Sequence, residues 1–248
     1  MVLQLSIAAP SWLTAPADET AIVSSYIQEV ARNRGRLSIL EAGCGRRWPI
    51  DLEGIEYDLV GIDVDEAALA LRNETQGDLS LSIIGDLRTA AFDEASFDVI
   101  YNSFVLEHID GAERVLDNFV RWLTPGGCII LKIPNRDSVK GFFTRITPFW
   151  FHVAYKKYFR GDRTAGKPGF GPYPTQFDEV VSSRGIDNYC QEWGLEIIGK
   201  YYFDCGNSVF AKQRWHRIEK RFCSLVEALS AGRLSADHID MLYVIRKP

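Results

Sequence analysis

Apolar residues in the first half of the chain fall in short compact runs, at 37–42, 57–63, 80–85, 97–102 and 127–133. The runs are continuous rather than alternating, which predicts strands covered on both faces. Helical spacing lies between them, at 65–72 and at 110–123, where Val115, Phe119 and Trp122 share one side. Strands alternating with helices predict a doubly wound parallel sheet. Ahead of the first strand, residues 1–17 carry Pro10 and Pro16 and read as an irregular arm. Asp18 or Thr20 then caps a helix to about Arg34, with Ile22, Tyr26, Ile27 and Val30 on one face and Gly35 at its end. Residues 124–127 (Thr-Pro-Gly-Gly) predict a sharp turn into the fifth strand. The pattern breaks at 138–176, where aromatics, prolines and glycines dominate and Pro148 splits the start into two short helices. A helix at about 177–193, a strand at 195–204, a helix at about 213–229 and a strand at 239–246 complete the chain.

At 248 residues the chain fits one α/β domain with an insertion. The division expected is an arm and helix over 1–36, then a domain over 37–248 with 138–176 inserted as a cap. A net charge of −5 argues against a nucleic-acid partner. The five cysteines form no CxxC pair, so neither a metal site nor a disulfide framework is expected, and reduced thiols in the cytoplasm are the simplest reading. No segment reads as a signal peptide or a spanning helix.

The chemistry concentrates where strands end. The first run closes on Glu41-Ala42-Gly43-Cys44-Gly45, and the second on Gly61-Ile62-Asp63. Paired glycines let backbone approach a ligand that any Cβ would block, and Asp63 suits a ribose diol. Dinucleotides and S-adenosylmethionine are both served by this layout. A dinucleotide fold prefers a third glycine three residues on, but position 48 is Trp and Pro49 follows, so the usual helix there is short, shifted or absent. The third run ends in Gly85-Asp86-Leu87, which suits an adenine edge. The fourth ends at Asn102-Ser103, ahead of Leu106-Glu107-His108.

Taken in order, Glu-Ala-Gly-Cys-Gly, Gly-Ile-Asp, Gly-Asp-Leu, Phe-Asp-Val-Ile-Tyr-Asn-Ser…Leu-Glu-His and Leu-Thr-Pro-Gly-Gly resemble the class I S-adenosylmethionine-dependent methyltransferases, in the bacterial group that modifies small molecules. The resemblance is strong over 36–135. It implies a Rossmann-like seven-stranded sheet of order 3-2-1-4-5-7-6, its last strand antiparallel, and S-adenosyl-L-methionine as cofactor. It also implies roles: Glu41, Gly43 and Gly45 at the methionine part, Asp63 on the ribose, Asp86 and Leu87 at the adenine, Asn102 and Ser103 beneath the sulfonium. Arg46-Arg47-Trp48-Pro49 departs from the family pattern, and one arginine could pair with the cofactor carboxylate.

Between Asp137 and Asp162 the chain has no acid but many aromatics and bases. Phe151, Tyr155 and Tyr158 sit at i, i+4, i+7, on one helical stripe. Three readings compete: a lid on the protein's own core, an acceptor pocket built from Phe142, Trp150, Phe151, Tyr155 and Tyr173, or an interfacial helix pair at 138–163 in peripheral contact with a membrane. The glycine-bearing loop at 161–172 is a hinge or a surface excursion. The expected reaction is methyl transfer to a small-molecule acceptor, at an oxygen on an apolar or aromatic compound. His108, His152 and, after them, Tyr173 are candidate bases, and Tyr101 and Phe104 candidate neighbours of the sulfonium. Other readings are a cofactor-binding fold that catalyses a different reaction, a non-catalytic membrane-associated protein, and a nicotinamide oxidoreductase.

Overall fold

The computed structural model describes residues 11–13, 16–159, 161–167, 170–176, 178–203 and 213–248. Strands β1 (Ser11–Leu13), β2 (Leu37–Ala42), β3 (Tyr57–Asp63), β4 (Leu81–Ile84), β5 (Phe97–Ser103), β6 (Leu123–Pro134), β7 (Glu196–Phe203) and β8 (Asp240–Arg246) form one sheet, in the order β1-β7-β8-β6-β5-β2-β3-β4. The helices are α1 (Pro16–Arg32), α2 (Glu66–Thr75), α3 (Ala112–Trp122), α4 (Val139–Ile146), α5 (Phe149–Ala154), α6 (Ser183–Trp193) and α7 (Gln213–Leu229). From β4 to β7 the order is the expected 3-2-1-4-5-7-6, with β8 antiparallel to both neighbours.

The period-2 geometry of a strand sends successive side chains to opposite faces. Leu40, Ile100, Ile129 and Leu131 meet Val115, Phe119 and Trp122 of α3 and Ile186 of α6 on one side. Ile39, Val99, Tyr101 and Ile130 meet Val23, Ile27 and Val30 of α1 on the other. Each such apolar side chain taken out of water contributes about 1.5–3 kcal/mol. Asp98 breaks the apolar run of β5 for a structural reason. Its carboxylate accepts from Ser38 N at 2.9 Å and pairs with Arg34, tying β5 to the start of β2.

Several expectations need correction. The arm is not wholly irregular: residues 11–13 add an eighth strand, parallel to β7 at the sheet edge, while residues 1–10 lie outside those described. Helix α1 begins at Pro16, ahead of both proposed caps, because proline's fixed φ and missing N–H suit the first helical position. Residues 124–127 are a bulge inside β6 rather than a turn before it: Phe97 pairs with Leu123 and Val99 already pairs with Cys128. Gly126 there takes a left-handed φ of 74°. The helix expected from 177 starts only at Ser183, where the Ser182 hydroxyl accepts from Gly185 N at 2.9 Å. No helix follows the glycine loop. Trp48, Ile50 and Leu52 instead pack as irregular chain on the α1 face of the sheet, filling the volume a helix would have covered.

Candidate functional site

The loop after β2 is positioned from below by a buried cation. Arg72 on α2 is fully buried; it donates to Glu41 Oε2 at 2.6 Å and Cys44 O at 2.8 Å, and grips Asp78 with two more bonds at 3.0 and 2.9 Å. Glu41 therefore has a partner of its own inside the protein and holds the loop from beneath. Gly43 (φ 76°) and Gly45 (φ 54°) are both left-handed, but their surroundings differ. A Cβ on Gly43 would meet a Val105 methyl at 2.2 Å, so there the close approach is made by Val105, not by space left for a ligand. A Cβ on Gly45 would point into open space.

Asp63 ends β3 and stitches the two loops together: Oδ2 accepts from Gly45 N at 2.8 Å and Oδ1 from Asp65 N at 2.9 Å. Each oxygen keeps a second lone pair for a ligand hydroxyl. Asp86 is gripped by Arg88, whose guanidinium holds that carboxyl below the usual carboxylate range. Leu87 is buried in the core on the α3 side, and its carbonyl accepts from Asn118 Nδ2 at 2.8 Å. Asn102 is fully buried; its Nδ2 donates to Ala42 O at 2.8 Å, while its Oδ1 has no partner within the protein. Ser103 follows it at the strand end and is half-buried.

A strap formed by residues 170–176 crosses this region. Arg46 stacks over the Phe170 ring at 4.1 Å, which gives that arginine a partner other than a cofactor carboxylate. The Tyr173 hydroxyl donates to Asp65 Oδ2 at 2.7 Å, and Gln176 N donates to Glu107 O at 2.7 Å.

Beyond the end of β5 lies a cavity of about 490 Å³, walled by Phe104, Glu107 and His108 on the sheet side, by Arg145, Phe149, His152 and Lys156 on the cap side, and by 171–175 of the strap. Both candidate histidines and Tyr173 thus come together. Phe142, Trp150, Phe151 and Tyr155 do not line it, a correction with a plain cause. Phe142 packs edge-on to Phe143, and Trp150 edge-on to Phe151 with 69% of its surface exposed; Phe151 on α5 and Tyr155, just beyond its end, are exposed as well. Tyr101 is likewise not at the cavity but buried against Trp48, with ring centroids 5.4 Å apart. Phe104, with a strained φ of 55°, does reach it.

The ring hydrogens of the two histidines follow from their partners. His108 Nδ1 lies 2.6 Å from Pro174 O, an oxygen that can only accept, so Nδ1 bears the hydrogen and Nε2 keeps its lone pair. Burial lowers the His108 pKa below its ordinary value, favouring the neutral ring. His152 Nε2 lies 3.1 Å from Thr147 O, so there Nε2 bears the hydrogen. Sequence reading did not single out Glu107. It is 3% exposed, its Oε2 has no partner, and burial pushes its carboxyl up to about 8. The one available signal was an acid directly after the apolar stretch Phe104-Val105-Leu106 and immediately before His108. Among the described residues no cluster could hold a metal ion.

Comparison with known proteins agrees with this geometry. A family model described as a methyltransferase domain matches residues 40–131. A probable S-adenosylmethionine-dependent methyltransferase of Mycolicibacterium smegmatis is 31% identical over 124 residues, 49% of this chain and 48% of that protein. Phosphoethanolamine N-methyltransferase 1 of Arabidopsis thaliana is 30% identical over 98 residues, 38% of this chain and 20% of that protein. The matches thus span less than half the length of these relatives. A SAM-dependent methyltransferase structure from Archaeoglobus fulgidus superposes with TM-score 0.54 at 17% identity, covering 92% of this chain and 94% of that one, a likeness of fold. Strand order, the ordered loop motifs and the matched domain agree: residues 40–131 are similar to a methyltransferase domain, and the sheet around them has the fold of the S-adenosylmethionine-dependent methyltransferases.

Proposed function

We propose that the chain transfers a methyl group from S-adenosylmethionine to a hydroxyl oxygen of a small acceptor held between the end of β5 and the cap. The observation that carries this reading is the cavity in which His108 presents a lone-pair-bearing Nε2 beside the strand end where the family binds its cofactor. The residues present fit that cofactor. Asp63 and Asp86 offer carboxylate lone pairs at the ends of β3 and β4, Gly45 borders open space, and the unpartnered Asn102 Oδ1 calls for a donor. When bound, the cofactor supplies an activated methyl sulfonium. Glu41, Gly43 and Leu87 support the loops around it, and the Ser103 hydroxyl stands at the end of β5 beside them.

The protein's part is then positioning and proton removal. Confining acceptor and methyl donor in line is worth roughly 7–11 kcal/mol. His108 Nε2 would take the proton of the acceptor hydroxyl, while the bound cofactor would supply the methyl group and leave as S-adenosylhomocysteine. His152, with its Nε2 hydrogen held by Thr147 O, keeps its lone pair on Nδ1 and is the alternative proton acceptor. For the acceptor, Phe104 and Phe149 favour an apolar or aromatic body, while Arg145 and Lys156 favour an anionic group on it. The name of the Arabidopsis relative, with its phosphorylated acceptor, supports the second feature.

The test is an acceptor screen with mass detection of a CH₂ gain and of released S-adenosylhomocysteine. His108→Ala is expected to lower kcat by about 10²–10⁴ while leaving cofactor affinity unchanged. The acid limb of the wild-type profile should fall below pH 6.5, because the lowered pKa keeps the ring neutral to lower pH. Cofactor binding without S-adenosylhomocysteine release from any acceptor would replace transfer with a non-transfer reaction on the same fold.

A further inference from the structure

We infer that the outer face of the cap, with the adjoining stripe of α7, is a docking surface for an anionic phospholipid bilayer. This goes beyond methyl transfer and does not depend on it. On the cap, Ile146, Phe149, Trp150, Phe151 and Tyr158 are all exposed, Trp150 by 69% and Tyr158 by 75%. On α7, Ile218, Phe222, Leu225 and Leu229 recur at helical spacing on one face, and all four are exposed, Leu229 by 79%. The two faces adjoin: the Phe143 and Phe222 rings lie 5.6 Å apart, and Cys223 and Val226 on the inner side of α7 pack against Val139 and Phe143 of α4. Apolar side chains gathered this densely on adjacent elements mark a surface that is covered in use.

Charge selects the cover. The chain carries 33 acids and a net charge of −5, yet residues 138–161 contain Lys140, Arg145, Lys156, Lys157 and Arg160 and no acid. Arg145, Lys156 and Lys157 are exposed beside the aromatics, and Lys157 Nζ lies 5.8 Å from the Tyr158 ring centre. Tryptophan and tyrosine with lysines at their flanks suit the headgroup boundary of a membrane, where rings sit among acyl chains and ammonium groups among phosphates. Among the described residues no helix is long and apolar enough to cross a membrane, so the contact is peripheral. Arg145, Phe149 and Lys156 also line the cavity, so its wall borders the docking face.

The full chain is tested by flotation with vesicles of phosphatidylcholine alone and of phosphatidylcholine with phosphatidylglycerol. Partition onto the anionic vesicles is expected to exceed that onto neutral ones by at least about tenfold, and to weaken as salt rises from about 0.05 to about 0.5 M. Trp150→Ser with Tyr158→Ser should lower partition by about tenfold or more, as should Leu225→Ser with Leu229→Ser. Lys157→Glu should lower it by about fivefold. Unchanged thermal midpoints and S-adenosylmethionine affinity in these variants show that the fold is intact. Lack of partition onto anionic vesicles, or equal partition by wild type and variants, overturns the inference. A concentration-dependent dimer that the same variants dissolve, with vesicles left unbound, overturns it in favour of a second copy of the chain. Vesicle binding by a protein with no methyl-transfer activity refutes only the proposed reaction.

Discussion

Glu107 shows how one side chain can carry both a structural cost and a chemical opportunity. Its carboxyl is buried beside the cavity with one oxygen unpartnered, and its pKa rises to about 8 because burial penalises the charge. An unfolded glutamate titrates near 4.3, so between about pH 4.3 and 8 the folded state holds a proton that the unfolded state has lost. Stability from this group is therefore fully present below pH 4.3 and declines as pH rises towards 8, by up to about 1.4 kcal/mol per unit. Glu107→Gln, of nearly the same shape and without a titrating group, should be more stable than wild type at pH 8 and indistinguishable near pH 4 by urea denaturation. A pH-independent difference would mean that Glu107 is not protonated in the folded protein. Arg72 is the opposite case, a buried charge whose bonds run to partners already in place. Arg72→Leu leaves Glu41 buried and unpaired, and should cost about 3–5 kcal/mol in chemical denaturation. The Glu41-x-Gly43-x-Gly45 spacing made this loop legible, but Arg72 lies 31 residues from Glu41 and nothing local announces the pair.

At the scale of elements, α3 displays a cap that local sequence does not provide. Its N-cap is Gly111 in a left-handed conformation, with no side chain to bond the first free amides. Asp178 supplies them from 66 residues away, with Oδ2 accepting from Gly111 N at 2.7 Å and Ala112 N at 2.9 Å. A carboxylate at this end also meets the favourable end of the helix dipole. Asp178→Ala should therefore destabilise the protein by about 1–2 kcal/mol, seen as a lower thermal midpoint. It should also loosen the neighbouring His108, whose Nδ1 hydrogen bond to Pro174 depends on the same return of the chain. An unchanged midpoint would show that the cap is satisfied equally by water. The α2 cap, by contrast, is local and was readable: Asp65 Oδ1 accepts from Ala68 N at 3.1 Å, three residues on.

At the scale of the molecule, the strap over 170–176 joins parts of the chain far apart in sequence. Tyr173 bonds Asp65 at the end of β3, while Pro174 and Gln176 bond the turn after β5. It therefore spans the carboxyl edge of the sheet, where open α/β folds take their ligands. Removing one hydroxyl anchor, worth about 0.5–1.5 kcal/mol, should ease its displacement. Tyr173→Phe is expected to speed S-adenosylmethionine association by roughly two- to tenfold in stopped-flow mixing, and an unaltered rate would place the strap off the access route.

The sequence by itself determined seven strands of the sheet, but not the edge strand β1. Continuous apolar runs mark strands buried on both faces, except in the edge strand β4, where Leu81 and Ile84 stay exposed, and the acids and glycines that stop them mark the carboxyl ends where open α/β folds take their ligands. It also announced that no ordinary helix follows Gly45, because Trp48 and Pro49 stand there. What only the tertiary structure decided is which groups face one another. Aromatic composition at 138–163 could not distinguish the ring that lines the cavity, Phe149, from those that turn away, because the direction of the cap follows from how α4 packs on α7 and on Leu234, Ala236 and Ile239. The ring hydrogen of His108, the protonation of Glu107 and the remote cap of α3 share that origin, since each depends on a partner or a dry environment brought together by chain segments distant in sequence.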